Sequence, residues 1–422
     1  MSGDTTDVYF GSWLNAPAHQ LWLQTEGLRL LSFAKASKVA QGFASLDASG
    51  RLSADASAET MNTTRMTHSF AMAHVQGIPG CLELVEHGVA ALLGPLRDAE
   101  HGGWYAVAEH GDGNTGKAAY LHAFVALAAS SAVQAGAAQA QELLTQATQI
   151  IDEHFWSEEE GALRESFSRD WSEEESYRGA NSNMHGTEAF LALADATGDS
   201  RWLERALQIV ERLIHGHAAA NDFAVIEHFD RQWQPLLDYN ADNPADGFRP
   251  YGTTPGHAFE WARLVLHLEA ALQRAGYAAP DWLLHDASGL FDSACRYAWN
   301  VDGAPGLVYT LDWQNQPVVR ARLHWVNAEA SATAAALLKR TGAQRYEVWY
   351  RRFWDFIERH FIDYAQGSWH HELDTDNKPA ATIWPGKPDL YHAYQAVLLP
   401  QVPLAPSLTA ALVELSTSSP AM

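Results

Sequence analysis

Helical periodicity runs through the whole chain and is broken at regular intervals by turn residues. From Leu143 to Phe155, and again from Trp202 to His215, apolar side chains recur three and four residues apart, and each stretch predicts an amphipathic helix. Acidic and turn residues follow such helices, and then a Gly or Asp opens a short alternating run. The runs are Gly42-Phe43-Ala44-Ser45-Leu46, Gly102-Gly103-Trp104-Tyr105, Gly161-Ala162-Leu163-Arg164, Asn221-Asp222-Phe223-Ala224-Val225, Gly306-Leu307-Val308-Tyr309 and Gly367-Ser368-Trp369-His370. Between Gly42, Gly103, Gly161, Asp222, Gly306 and Gly367 the steps are 61, 58, 61, 84 and 61 residues. A period of about 60 suits two helices of about 15 residues plus a hairpin and turns.

Six such pairs predict an all-α fold, an (α/α)6 barrel with short β-hairpins between helices. A single domain over 1–422 is expected, with 416–422 as a frayed tail. In a closed ring the inner helices run the same way, so their N-termini gather at one mouth. The long step contains 238–252, which is polar and rich in Pro, Gly and Asn. The period resumes after it, so it predicts a functional loop rather than a linker.

Polar residues keep pace with the repeat at the expected inner-helix starts: Arg65, His122, His185, His257, Glu329 and His392, in steps of 57, 63, 72, 72 and 63. Asn183 as N-cap puts His185 in a first turn, with Glu188 one turn on. Thr254 as N-cap, with Pro255 in the first helical position, does the same for His257 and Glu260. Asp389 as N-cap places His392. Free N–H groups and dipole ends at such a mouth favour an anionic intermediate.

Composition narrows the classes. The chain has 422 residues, 47% of them apolar, and a net charge of −23 without a basic block. That allows a large core and argues against nucleic acid and anionic membranes. The only cysteines, Cys81 and Cys295, lack CxxC spacing, so neither a disulfide framework nor a thiolate metal site is expected. Met1 to Phe10 has no leader pattern, and no apolar run reaches about 18 residues, so the cytoplasm is expected. Sixteen Trp and fourteen Tyr suit either a sugar site or a large helical core.

Some residues stay open between two roles. His122 is either a barrel-lining core residue or a mouth residue. Glu329, after Trp325, partners Arg322 or joins the site. His370-His371-Glu372 suggests a metal by residue type, but neighbours on a strand point to opposite faces and no HExxH occurs. Asp374-Thr375-Asp376-Asn377 lacks the glycine and glutamate of a calcium loop, so a hairpin turn is expected. No metal and no cofactor are anticipated.

Three segments carry a resemblance: Asn181-Ser182-Asn183-Met184-His185, Tyr251-Gly252-Thr253-Thr254-Pro255-Gly256-His257-Ala258-Phe259-Glu260-Trp261, and Trp384-Pro385-Gly386-Lys387-Pro388-Asp389-Leu390-Tyr391-His392. With Gly102-Gly103-Trp104-Tyr105 and Glu227-His228-Phe229-Asp230, they resemble the N-acylglucosamine 2-epimerase superfamily, in its mannose isomerase and sulfoquinovose isomerase branch. The resemblance spans about Trp13 to Pro403. It implies an (α/α)6 barrel, a metal-free aldose–ketose isomerase, and a sugar site of Arg65, Tyr120, Asn181, His185, His257, Glu260 and His392. Glu188, Trp325 and Glu329 complete the expected binding set.

Aldose–ketose isomerisation moves a proton between C1 and C2 through a cis-enediol. Histidine suits it because it titrates near neutral pH. His257 and His392 are assigned to proton transfer and His185 to ring opening. Glu188 and Glu260 are expected to raise and orient their histidines, and Arg65 to hold a hydroxyl or enediolate charge. The sulfosugar branch has a basic residue where this chain has Gly247 and an amide where it has His371. Their loss favours a neutral sugar, mannose with fructose as product, or lyxose and xylulose. A sugar 2-epimerase, an (α/α)6 glycoside hydrolase with carboxylates roughly 6.5–9.5 Å apart, and a non-catalytic sugar-binding barrel remain alternatives. The expected partner is a small sugar.

Overall fold

The structure, a computed structural model, describes residues 11–109 and 115–418. The expectation for Met1–Phe10, and that for the last four residues, lie outside the described residues. Helices alternate between an outer and an inner ring: α1 Pro17–Ala34, α2 Thr60–Val75, α3 Cys81–Leu93, α4 Ala119–Gln134, α5 Ala140–Ile150, α6 Ala180–Thr197, α7 Arg201–Val210, α8 Pro255–Arg274, α9 Trp282–Ala298, α10 His324–Thr341, α11 Gln344–Phe356 and α12 Tyr391–Leu398. A last helix, α13 (Leu408–Ser418), packs on α2, α4 and α6. The even-numbered helices from α2 to α12 touch in sequence, and α12 meets α2 to close the ring. The fold is therefore the expected (α/α)6 barrel.

Residue size sorts the two rings. Inner helices are buried nearly all round and contain many small residues, as in Ala-Ala-Ser-Ser-Ala of α4, which let neighbours approach on several sides. Outer helices bury one face. In α7 that face is Trp202, Leu203, Arg205, Ala206, Ile209 and Val210. The two predicted amphipathic helices form as α5 and α7, and both unwind into π-helical turns, at Ile151–Phe155 and Glu211–Ala218. Trp104, Trp202, Trp261, Trp354 and Trp369 fill the core. Residues 416–418 belong to α13, where their hydroxyls bond carbonyls of Val413 and Glu414. The frayed tail thus does not begin at 416.

The hairpins do more than link helices. Strands also pair between neighbouring repeats: Lys117–Ala118 with Ser166–Phe167, Arg178–Gly179 with His228–Phe229, and Arg322–Leu323 with Glu372–Leu373. A belt of backbone bonds results at the mouth. Lys387, Thr60, Ala119, Ala180, Thr253 and His324 donate their N–H groups to the carbonyls of Leu46, Ala106, Glu165, Glu227, Leu311 and His371. The first N–H of each of four inner helices, at Thr60, Ala119, Ala180 and His324, is therefore spent on the belt. The expectation of unpaired N–H groups pointing into the mouth is corrected for these first groups.

Candidate active site

Local sequence sets each histidine at its depth. Pro255 starts α8 and Thr254 is its N-cap residue, as expected, so His257 lies in the first turn. The N-cap residue of α12 is Leu390 rather than the expected Asp389 one residue earlier, whose carboxylate nonetheless accepts the His392 N–H at 3.3 Å. Asn183 is not a cap. Gly179 precedes α6, and Asn183 instead ties the Leu163 strand to the helix, accepting the Leu163 N–H at 2.8 Å and donating to Leu163 O and Gly179 O. His185 is consequently one turn deeper than the sequence suggests.

A cavity opens among these helix starts. Arg65, Tyr120, Asn181 and His185 line one side, and His257, Glu260, Trp325 and His392 the other. Eight of the ten expected site residues thus meet. Glu188 and Glu329 lie beneath its floor. The Arg263 guanidinium takes Glu329 at 2.7 Å and stands 3.6 and 3.8 Å from Glu260 and Glu188. Arg322 pairs with Asp302, which excludes it as the partner of Glu329. His122 is a core residue: Nδ1 faces Ala118 O at 2.7 Å and Nε2 accepts the Trp104 N–H at 3.2 Å.

The carboxylates behind the histidines come from unexpected places. His257 Nδ1 meets Glu227 Oε1 at 3.0 Å, not Glu260. His392 Nδ1 bonds the Asp389 carboxylate. Facing carboxylates, both imidazoles carry hydrogen on Nδ1 and keep Nε2 for the cavity. Burial alone would raise the Asp389 carboxyl. His392, Arg65 at 3.6 Å and His324 at 3.3 Å nonetheless hold it well below the usual carboxylate range. His185 Nδ1 stands 3.8 Å from Glu188 and 3.7 Å from Glu260, beyond hydrogen-bond reach. Burial lowers its pKa to about 4, so the expected upward shift is reversed and the ring is neutral near pH 7. Burial and the neighbouring Glu329 push the Glu260 carboxyl well above its usual range despite Arg263.

Aromatic rings shape the cavity. Trp325 packs against both His257 and His392, at centroid distances of 5.2 and 5.8 Å. Gly256 makes this possible, because a Cβ there would sit 2.4 Å from the Trp325 ring. Loop 238–252 reaches the mouth through Gly247 and Phe248. Phe248 meets Tyr120 at 5.8 Å and Trp384 at 5.2 Å, and Gly247 and Phe248 both line the cavity. Arg249 points away to Glu175 at 2.8 Å. Several buried polar atoms around the cavity make no hydrogen bond within the described protein, including Arg65 Nε, Asn181 Oδ1, Glu260 Oε1 and His371 Nε2. Such a set suits a ligand dense in hydroxyl groups.

Sequence reasoning missed Glu227 as a histidine partner, His324 entirely, and the site position of Tyr309. A signal existed. The belt residues Leu46, Ala106, Glu165, Glu227, Leu311 and His371 follow one another by 60, 59, 62, 84 and 60 residues, the same rhythm as the hairpins. His371 does face the cavity, stacked on His324 at 3.9 Å, while His370 turns to Asp363, as strand alternation requires. Asp374 accepts the N–H groups of Asp376 and Lys378, the expected hairpin turn. The fold also assembles groups the sequence did not suggest as metal ligands: His324, Asp389 and His392, and around Glu260 two more sets. The Arg263 and Arg65 guanidinium groups sit among them, which opposes a divalent cation.

The family model for N-acylglucosamine 2-epimerase matches residues 42–396. The chain belongs to the N-acylglucosamine 2-epimerase family. Within that family it is 68% identical over 412 residues to the D-mannose isomerase of Pseudomonas cannabina pv. alisalensis, covering 98% of this chain and 100% of that one. The D-mannose isomerase of Thermobifida fusca is 52% identical over 404 residues, covering 95% and 98%. A crystal structure of D-mannose isomerase superposes with a TM-score of 0.84 at 29% identity, covering 92% of this chain and 99% of the other. Among the described residues no helix is long and apolar enough to cross a membrane.

Proposed function

We propose that this protein is an aldose–ketose isomerase that interconverts D-mannose and D-fructose, acting on D-lyxose and D-xylulose as five-carbon equivalents. The whole chain serves as one catalytic domain, in the cytoplasm, without a metal or cofactor. The observation that carries the reading is a pair of carboxylate-backed imidazoles, His257 with Glu227 and His392 with Asp389, on one aromatic-walled cavity. The D-mannose isomerase relatives favour mannose as the aldose. A hydrolase would need two opposed carboxylates free to act as acid and base, whereas of those lining the cavity Asp389 is bonded to His392 and Glu260 stands beside Arg263.

Neutral His185 assists opening of the pyranose by taking the O1 proton and returning one to O5. One imidazole of the His257/His392 pair then carries the C2 proton to C1. The other moves the O2 proton to O1, so the electron pair of the C2–H bond ends in the new C1–H bond. Arg65, fixed by its 2.9 Å bond to the Tyr120 hydroxyl, stands where enediolate charge develops. Trp325, Asn181 and Glu260 hold the sugar. His371 and Gly247 offer no fixed positive charge to a C6 substituent, in keeping with a neutral sugar. Incubation with D-mannose followed by chromatographic product identification tests this. Fructose is expected. Glucose would make the protein a 2-epimerase, and an unchanged sugar would overturn the isomerase assignment.

A further inference from the structure

Beneath the catalytic cavity lies a second, toward the C-terminal ends of the inner helices, where α13 and residues 404–407 border it. One layer of side chains separates the two. Glu188 and Arg263 line the lower cavity, and they stand 3.8 and 3.6 Å from His185 and Glu260 of the upper one. Leu127, Leu191 and Leu264 form an aliphatic wall. His267 faces them. It is only 9% exposed, and its ring makes no hydrogen bond with any described residue. Burial, with the nearby Arg263 and Lys339 charges, holds its pKa at about 3. The ring is therefore neutral and offers one N–H donor and one acceptor nitrogen.

The charges select the ligand class. Arg263 already faces Glu329, Glu260 and Glu188, and the nearby Lys339 ammonium donates to the Leu399 and Val402 carbonyls, so neither cation is free for an anion. The Asp195 carboxylate, held by the Ser407 N–H at 2.7 Å, adds a negative rim. Glu188 is occupied by the Tyr391 hydroxyl and by Gln395 at 3.2 Å. An uncharged molecule with an aliphatic edge and hydroxyl groups satisfies both walls. We propose that the lower cavity is a second binding site, for a short neutral polyol whose hydroxyl pairs with His267, and that Glu188 transmits its occupancy to His185. The binding itself holds or fails independently of the isomerase reading, whereas its transmission to His185 rests on that reading.

Erythritol is the probe. Calorimetric titration should show binding to the full chain, with or without saturating mannose. In the isomerase assay erythritol should lower kcat and leave KM for mannose unchanged. His267→Leu should weaken erythritol binding by about fivefold to tenfold, the scale of one buried hydrogen bond, with basal turnover kept. Ala192→Phe, which fills the cavity from its other wall, should abolish binding. No binding, competition with mannose, or binding unaltered in both folded variants would each overturn the proposal.

Discussion

Replacing Glu227 by glutamine keeps the shape of the His257 pair and removes its charge. Glu227 Oε1 and His257 Nδ1 are 3.0 Å apart, with the two residues 3% and 7% exposed. At an effective dielectric constant of about 20, a full imidazolium at that distance would gain roughly 5 kcal/mol from the carboxylate. A transition state that develops about half that charge gains about 2–3 kcal/mol, worth about 10²-fold in rate. Glu227→Gln should therefore lower kcat by about 10²-fold with KM for mannose changed little. Glu227→Asp, which retains the charge at a longer reach, should recover part of the loss. The assay is fructose release, beside circular dichroism to establish folding. A folded Glu227→Gln enzyme within about threefold of the parent would refute the idea that Glu227 orients His257 and stabilises the charge it develops.

His257→Ala and His392→Ala should each lower kcat by at least about 10²-fold, and His185→Ala by less, since sugars open slowly unaided; turnover of mannose decides, and near-normal rates in either of the first two variants would displace the assignment. Turnover should survive exhaustive EDTA treatment, and a loss reversed by a divalent cation would reveal a metal among His324, Asp389 and His392. His267, with its folded pKa lowered to about 3 against 6.5, leaves the unfolded chain to take the proton first; its stability contribution is whole above pH 6.5 and shrinks as pH falls toward the folded value. Urea unfolding should lose about 2 kcal/mol less between about pH 7 and pH 5 in His267→Leu than in the parent, and an equal loss in both would contradict a neutral buried ring.

The rhythm of the chain carried the fold. Hairpins recurring about every 60 residues can be matched only by repeated helix pairs, and a repeat that buries one face per helix must close or stack to complete its core. Local capping chemistry likewise placed His257 and His392, because Pro255 and Asp389 act within their own helix turn. What the sequence left open involves partners far apart in the chain. Glu227 reaches His257 across a belt that only the closed ring creates, and the same belt uses helix-start N–H groups that look free in one dimension. Glu188 and Glu260 sit at identical spacings from their histidines, yet one faces the catalytic cavity and the other the cavity below, because helix depth is set by Asn183 bonding the Leu163 strand. Spacing along a helix fixes the face of a side chain. Which neighbouring helix, strand or cavity meets that face is decided by packing around the ring, and so is the downward shift of the buried His185.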